Sequence, residues 1–300
     1  MPEELDELNR LFTSKNVEDV IKFYDHFDTP EQLIEWMKNR PSAPMKIYEV
    51  EGNKDTVIVI PTANHEGELA KNCANDIFKG QQIVFVESNG PFFNYARSCN
   101  YGLKYALKYN PKWIILSNDD VLDLGGLIIF FQKLSQQNYD IITPKQNYRG
   151  HFYPSFVAKQ TIFLKLFYIL TGRKYILNLF SKFNVTYRTP ALKKGGLNLL
   201  KYNLLYKKVV RIPTNTAFTI FSSSFVARND KVLDETCINA GEELSLWLDN
   251  LDTKFGYLDL PILDKIGTTL GNSTTRSFRD FTGLIYFNYK FRRLYLSNHK

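Results

Sequence analysis

From Thr56 onward, short β-branched runs alternate with amphipathic stretches at close spacing, and that alternation restricts the possible folds more than any other feature. Residues 57–60 read as a strand, 66–78 as a helix, 83–86 as a strand, 93–109 as a helix and 113–116 as a third strand. Strands joined through helices lie parallel, because a right-handed helical crossover returns the chain to the same edge of the sheet. The pattern therefore predicts an α/β domain, a Rossmann-like mixed, mainly parallel sheet flanked by helices. A helix over 125–137, a strand at 139–143 and a buried apolar run at 216–225 extend it.

The third strand runs straight into Asn118, Asp119 and Asp120. Open α/β sheets bind ligands at the carboxyl ends of their strands, which is where this turn falls. Two adjacent carboxylates with no Lys or Arg beside them are costly unless a cation shares the site. Oxygen-only ligands suit a hard divalent cation, Mg²⁺ or Mn²⁺. The competing interpretation is a polar turn after a strand. After the first strand the chain has Pro61-Thr62-Ala63-Asn64 in place of G-x-G-x-x-G, and no G-x-x-x-x-G-K-[ST] occurs anywhere, so dinucleotide and P-loop chemistry are disfavoured.

Residues 1–48 predict a small N-terminal helical segment and linker. Asn16 and Thr29 are placed as N-caps, Pro30 takes the first helical position, and prolines mark a linker at 39–44. Three widely spaced cysteines, Cys73, Cys99 and Cys237, form neither a C-x-x-C pair nor a Cys/His cluster and fit a reducing, cytoplasmic setting. The acidic N-terminus lacks a basic region followed by an apolar one, which argues against a secretory signal, and no apolar run approaches the length of a membrane span.

Charge is distributed unevenly beneath the net +7. Residues 1–50 carry 11 acidic and 6 basic side chains, whereas 141–215 carry 14 Lys or Arg and no Asp or Glu. Such a block suits nucleic acid, an anionic membrane surface or a phosphorylated substrate. Within it, 162–180 interleaves aromatic and basic residues as interfacial helices do, a pattern that a core-facing helix shares. A second acidic cluster follows at Asp234, Glu235, Glu242 and Glu243.

Four segments, taken in order, resemble the family 2 glycosyltransferases, which use nucleotide sugars and have the GT-A fold. They are V-I-V-I-P-T-A-N at 57–64, F-N-Y-A-R-S-C-N-Y-G at 93–102, I-I-L-S-N-D-D-V at 114–121 and L-D-E-T-C-I-N-A-G-E-E-L-S-L at 233–246. The likeness is greatest to the rhamnosyltransferase-like branch. It implies a GT-A domain over 55–271, with a basic aromatic insertion at 145–212 and a C-terminal basic aromatic extension at 272–300.

The resemblance also implies roles. Asp120 would ligate a divalent cation that bridges the donor's diphosphate, with Asn118 beside it as a second metal contact. Asn118 and Asp119 would complete the turn against ribose and diphosphate. Glu87, where relatives carry aspartate, would hydrogen-bond base or ribose, with Asn89 two residues on. Pro61 and Thr62 would line the base pocket, and Arg97 would approach the nucleotide or cap a surface. Glu243 would be the base of an inverting transfer and Glu242 its support; the alternative is that both serve the dipole of the helix they open. The acceptor would be a hydroxyl of a glycan, a lipid-linked glycan or a glycoprotein, and the 145–212 and C-terminal segments would dock on anionic lipid.

The chain departs from the family pattern at two points. Asp264-Lys265-Ile266-Gly267 stands where relatives have a metal-binding histidine, and Asp249 stands near the place of a common arginine. None of His26, His65, His151 and His299 has a ligand-spaced partner. Three further readings rank lower, one of them a sugar nucleotidyltransferase on a related fold, which the absence of a Gly-rich, Arg/Lys-bearing phosphate loop after the first strand disfavours. A nucleic-acid-binding protein would leave both acidic clusters unexplained, and a catalytically degenerate relative is suggested by Lys265.

Overall fold

The computed structural model describes residues 2–144, 218–238, 241–250, 253–260 and 262–264, together with 279, 282–283, 285–286 and 289–290. The 145–212 insertion, Lys265, His151, His299 and most of the C-terminal extension lie outside these residues.

Three helices open the chain, α1 (Pro2–Thr13), α2 (Val17–Asp25) and α3 (Pro30–Asn39). Their starts follow from the caps. Asn16 accepts from the Glu18 amide, and Thr29 forms a capping box with Gln32 ahead of Pro30. Phe12, Phe23 and Trp36 meet edge-on or tilted at 4.7–5.2 Å in the core of this bundle. Cys237, Ile238, Ile285 and Tyr286 join that core from the distant end of the chain.

The sheet has seven strands: β1 (Lys46–Val50), β2 (Asn53–Thr62), β3 (Gln81–Glu87), β4 (Trp113–Ser117), β6 (Ile141–Pro144), β7 (Phe218–Ser222) and β8 (Phe255–Leu258), in the order β1-β3-β2-β4-β7-β6-β8. β2, β3, β4, β6 and β8 run in one direction, and β1 and β7 oppose them. The sheet is thus mixed, as expected. Edge strand β1, where the sequence predicts the end of the N-terminal segment and linker, is an addition.

The period of two along each strand divides the core between two faces. Ile58, Ile60, Ile83, Phe85, Trp113 and Ile115 point to one side, under α4 (Glu68–Asn72) and α6 (Leu127–Ser135). Val57, Val59, Val84, Val86, Ile114 and Leu116 point to the other, under α5 (Tyr95–Ala106), α7 (Ser223–Arg228) and α8 (Glu242–Asp249). The chain leaves β2 for β3 by way of α4 on one face and returns from β3 to β4 by way of α5 on the other. The winding therefore reverses about β2 and leaves the carboxyl ends of β2 and β4 side by side, the position where open sheets place ligands. A small separate sheet pairs β5 (Val121–Asp123) with β9 (Leu263–Asp264) just beyond β4. No helix among the described residues is long and apolar enough to cross a membrane.

Candidate active site at the carboxyl edge

The last rung between β2 and β4 joins Val59 to Leu116, and β2 then runs on for three residues. Pro61 lies in this overhang, where its missing N–H no longer interrupts that ladder. One residue later the Thr62 hydroxyl donates to Asp119 Oδ2 at 2.7 Å, bridging the ends of the two strands. Asp119 and Asp120 are 9% and 6% exposed, a degree of burial that acidic side chains rarely reach without a compensating group. Burial raises the Asp119 carboxyl above its usual range, and the Thr62 hydroxyl offsets only part of that rise.

Two neighbouring elements hold the turn in place. Tyr95, the first residue of α5, donates its hydroxyl to Asn118 Oδ1 at 2.9 Å. On the other side, α4 widens into a π-helical turn, Cys73–Ile77, and brings the Cys73 thiol within 3.3 Å of the Asp119 carbonyl. Burial, followed by the charges of Asp119 and Asp120, pushes that thiol up to about 12. Both carboxylates therefore impose a negative field on their surroundings. The small sheet places the backbone of Asp264 opposite Val121, one residue beyond Asp120, so β9 ends beside the acidic turn.

The end of β3 is organised differently from the sequence expectation. Glu87 Oε2 accepts from the His65 amide at 3.0 Å and pairs with His65 Nδ1 at 2.6 Å, and the imidazole stacks on Tyr48 of β1 at 3.4 Å. The His65 hydrogen bonds hold Glu87 below the ordinary carboxylate range. Glu87 thus fastens the β2–α4 loop. Asn89 ties the same loop through a 3.2 Å bond to the Ala63 carbonyl. Arg97 does not join the group: lying two residues past Tyr95, it leaves the opposite side of α5 and donates to Ser42 Oγ.

The second acidic cluster separates into distinct functions. Burial alone would raise the Asp234 carboxyl, but the Lys290 ammonium at 2.6 Å and the Tyr286 hydroxyl at 2.6 Å outweigh it and leave its pKa lowered. Lys290 also pairs with Asp249. Glu235 accepts from Lys231 and Asn100. Glu242 opens α8, where a negative charge suits the helix dipole, and is 4% exposed. After burial, its charge contributes to raising the Cys99 and Cys237 thiols. Glu243 is the second residue of α8, and its side chain lies outside the described residues.

Replacing Lys290 by methionine strands Asp234 in a largely buried position and is expected to cost about 3 kcal/mol at neutral pH, as when one partner of a buried pair is removed. The folded-state pKa of Asp234 is depressed, so the ion pair contributes above the unfolded carboxylate value near pH 4 and is lost as pH falls through the lower folded value. Urea melts of wild type and Lys290→Met at pH 7 and pH 3 check this. The stability gap should narrow at pH 3, and a constant gap would show that Lys290 acts through packing alone.

The oxygen donors at the acidic turn fit a divalent cation of the kind that takes one or two protein carboxylates and completes its shell from substrate phosphates and water. Among the described residues, no group of three or more His, Cys, Asp or Glu side chains stands ready to enclose a metal. Tyr95, His65 and Tyr48 complete the edge but carried no assigned role in the sequence. For Tyr95 a signal existed, since the first turn of a helix following a parallel strand faces the carboxyl edge. Compared with protein-family models, curated proteins and solved structures, the chain has no significant match.

Proposed function

We propose that the protein is a glycosyltransferase that moves a sugar from a nucleotide-diphosphate donor to an acceptor hydroxyl, with the donor's diphosphate at the acidic turn. The observation that carries this reading is the buried Asp119–Asp120 pair at the carboxyl ends of β2 and β4, bridged to Thr62 and braced by Tyr95. The four-segment resemblance supports it by giving each part a role.

A divalent cation bound there would neutralise charge that grows on the diphosphate as the glycosidic bond breaks. Asp120 and Asn118 are the residues proposed to hold it, with Asp119 kept in place by Thr62. Pro61 and Thr62 form the floor beneath the donor. Glu87 acts on the nucleotide through the loop it fastens, so that His65 and Tyr48, rather than Glu87 alone, present a surface at the base end. Glu243 remains the proposed base for deprotonating the acceptor hydroxyl on the face opposite the leaving group, with Glu242 supporting it from the first turn of α8. Anionic lipid as a docking surface, and a cytoplasmic setting on a membrane, complete the proposal.

Calorimetric titration of UDP, GDP and TDP, each with and without Mn²⁺, tests the donor site. Saturable binding of one nucleotide that requires the metal is expected. Nucleotide binding indifferent to metal, or no binding of any of the three, would sink the reading.

A further inference from the structure

A cavity of about 140 Å³ lies between the end of α3, the first turn of α5 and the 231–236 loop. Lys38, Arg40, Arg97 and Lys231 line it, with Glu235 as the carboxylate in its wall. Glu235 is already engaged, accepting from Lys231 at 2.7 Å and Asn100 at 3.1 Å. Once Lys231 is set against Glu235, Lys38, Arg40 and Arg97 remain as positive charge around a polar space.

Arg40 is the most telling of these. Its residue exposure is 9%, yet its partners are all neutral: Asn9 Oδ1 at 2.8 Å, the carbonyls of Pro91 and Phe93, and the rings of Phe12, Trp36 and Phe92 at 5.5–5.6 Å. Among the described residues, no carboxylate lies within ion-pair distance of its guanidinium. Buried charges are normally paired, because desolvation otherwise costs several kcal/mol. Burial, with Arg279 nearby, brings this guanidinium down to about 10, the direction expected of a cation without a counterion. Its three hydrogen bonds to Asn9, Pro91 and Phe93 use three of its five N–H groups, leaving donor capacity.

We propose that this cavity binds a phosphoryl group, either as free phosphate or carried on a small phosphomonoester. Lys38, Arg40 and Arg97 together carry one positive charge more than a dianion needs to be neutralised, and the exposed Arg97 guanidinium offers its oxygens a planar fork. The volume is roughly ten times what a single water needs. That admits a phosphoryl group with a small substituent, and none of the lining residues is among those proposed for the donor, so the cavity is separate from that site. The inference does not depend on the glycosyltransferase reading.

The test is calorimetric titration of the full chain with inorganic phosphate and, separately, with methyl phosphate, at constant ionic strength against a chloride blank. One site per chain is expected. Tighter inorganic phosphate assigns the free anion, and tighter methyl phosphate assigns the ester. Arg97→Ala and Lys38→Ala replace exposed side chains and should leave the circular dichroism spectrum unchanged. Arg97→Ala should weaken binding about tenfold, the loss of one charge-assisted hydrogen bond. Lys133→Ala, on α6, should bind like wild type. Heats no larger than the chloride blank for both ligands, or wild-type affinity in both Arg97→Ala and Lys38→Ala, would overturn the proposal.

Discussion

Asp120→Asn should weaken Mn²⁺-dependent nucleotide binding roughly 100-fold, a loss of about 2.7 kcal/mol that is in keeping with removing one metal-bound carboxylate. The substitution keeps the shape of the side chain, removes its charge and turns one acceptor oxygen into a donor. Asp120 sits beside Asp119 in a region where both charges already push the Cys73 thiol up to about 12, so relieving one of them should not unfold the turn. Thermal melts of the variant should accordingly stay close to wild type. The discriminating result is binding with and without metal: Asp120→Asn should bring the Mn²⁺ titration down to the metal-free level. Wild-type, metal-dependent affinity in this variant would show that the acidic turn does not hold the cation.

Asn100→Ala should cost about 3 kcal/mol of stability and lower the melting temperature by roughly 5–10 °C. Asn100 is buried and saturates its amide: Oδ1 accepts from the Val232 and Leu233 amides at 3.0 and 2.9 Å, while Nδ2 donates to the Leu233 carbonyl at 2.7 Å and to Glu235 at 3.1 Å. Truncation leaves two amides and a carbonyl buried without partners, and that costs more than the bonds themselves contributed. Asn100→Asp separates this account from simple packing. It keeps the acceptor and the volume, but turns a donor toward the Leu233 carbonyl and the Glu235 carboxylate into a repelling oxygen. Differential scanning calorimetry on both variants checks this. Near-wild-type stability in Asn100→Asp would show that the two bonds donated by Nδ2 contribute nothing.

Asn100 and Tyr95 show a segment that reading along the chain singled out without identifying the residues that matter in it. Both occur in the F-N-Y-A-R-S-C-N-Y-G segment that carries the resemblance, and both connect α5 to acidic segments, Tyr95 to Asn118 and Asn100 to 232–235. The segment is informative because a helix packed on a parallel sheet brings its first turn to the carboxyl edge and its inner face to the core. Cap residues were legible, since Asn16 and Thr29 bond to amides two and three residues away. Edge strand β1 was not legible: K-I-Y-E-V is exposed or half-buried throughout and lacks the apolar run of a central strand.

By itself, the sequence determined the alternation of strand and helix, the helix starts and the acidic turn at the end of β4. These depend on contacts within a few residues and on the periods of two and 3.6 that secondary structure imposes. Only the tertiary structure decided which charges are engaged. Asp234 is met by Lys290 from 56 residues away, Glu87 by His65 from 22, and Arg40 is enclosed by Asn9 and two carbonyls with no acid beside it among the described residues. A charge's worth is set by its burial and by the partner that folding delivers, and neither is encoded in the residues next to it in the chain.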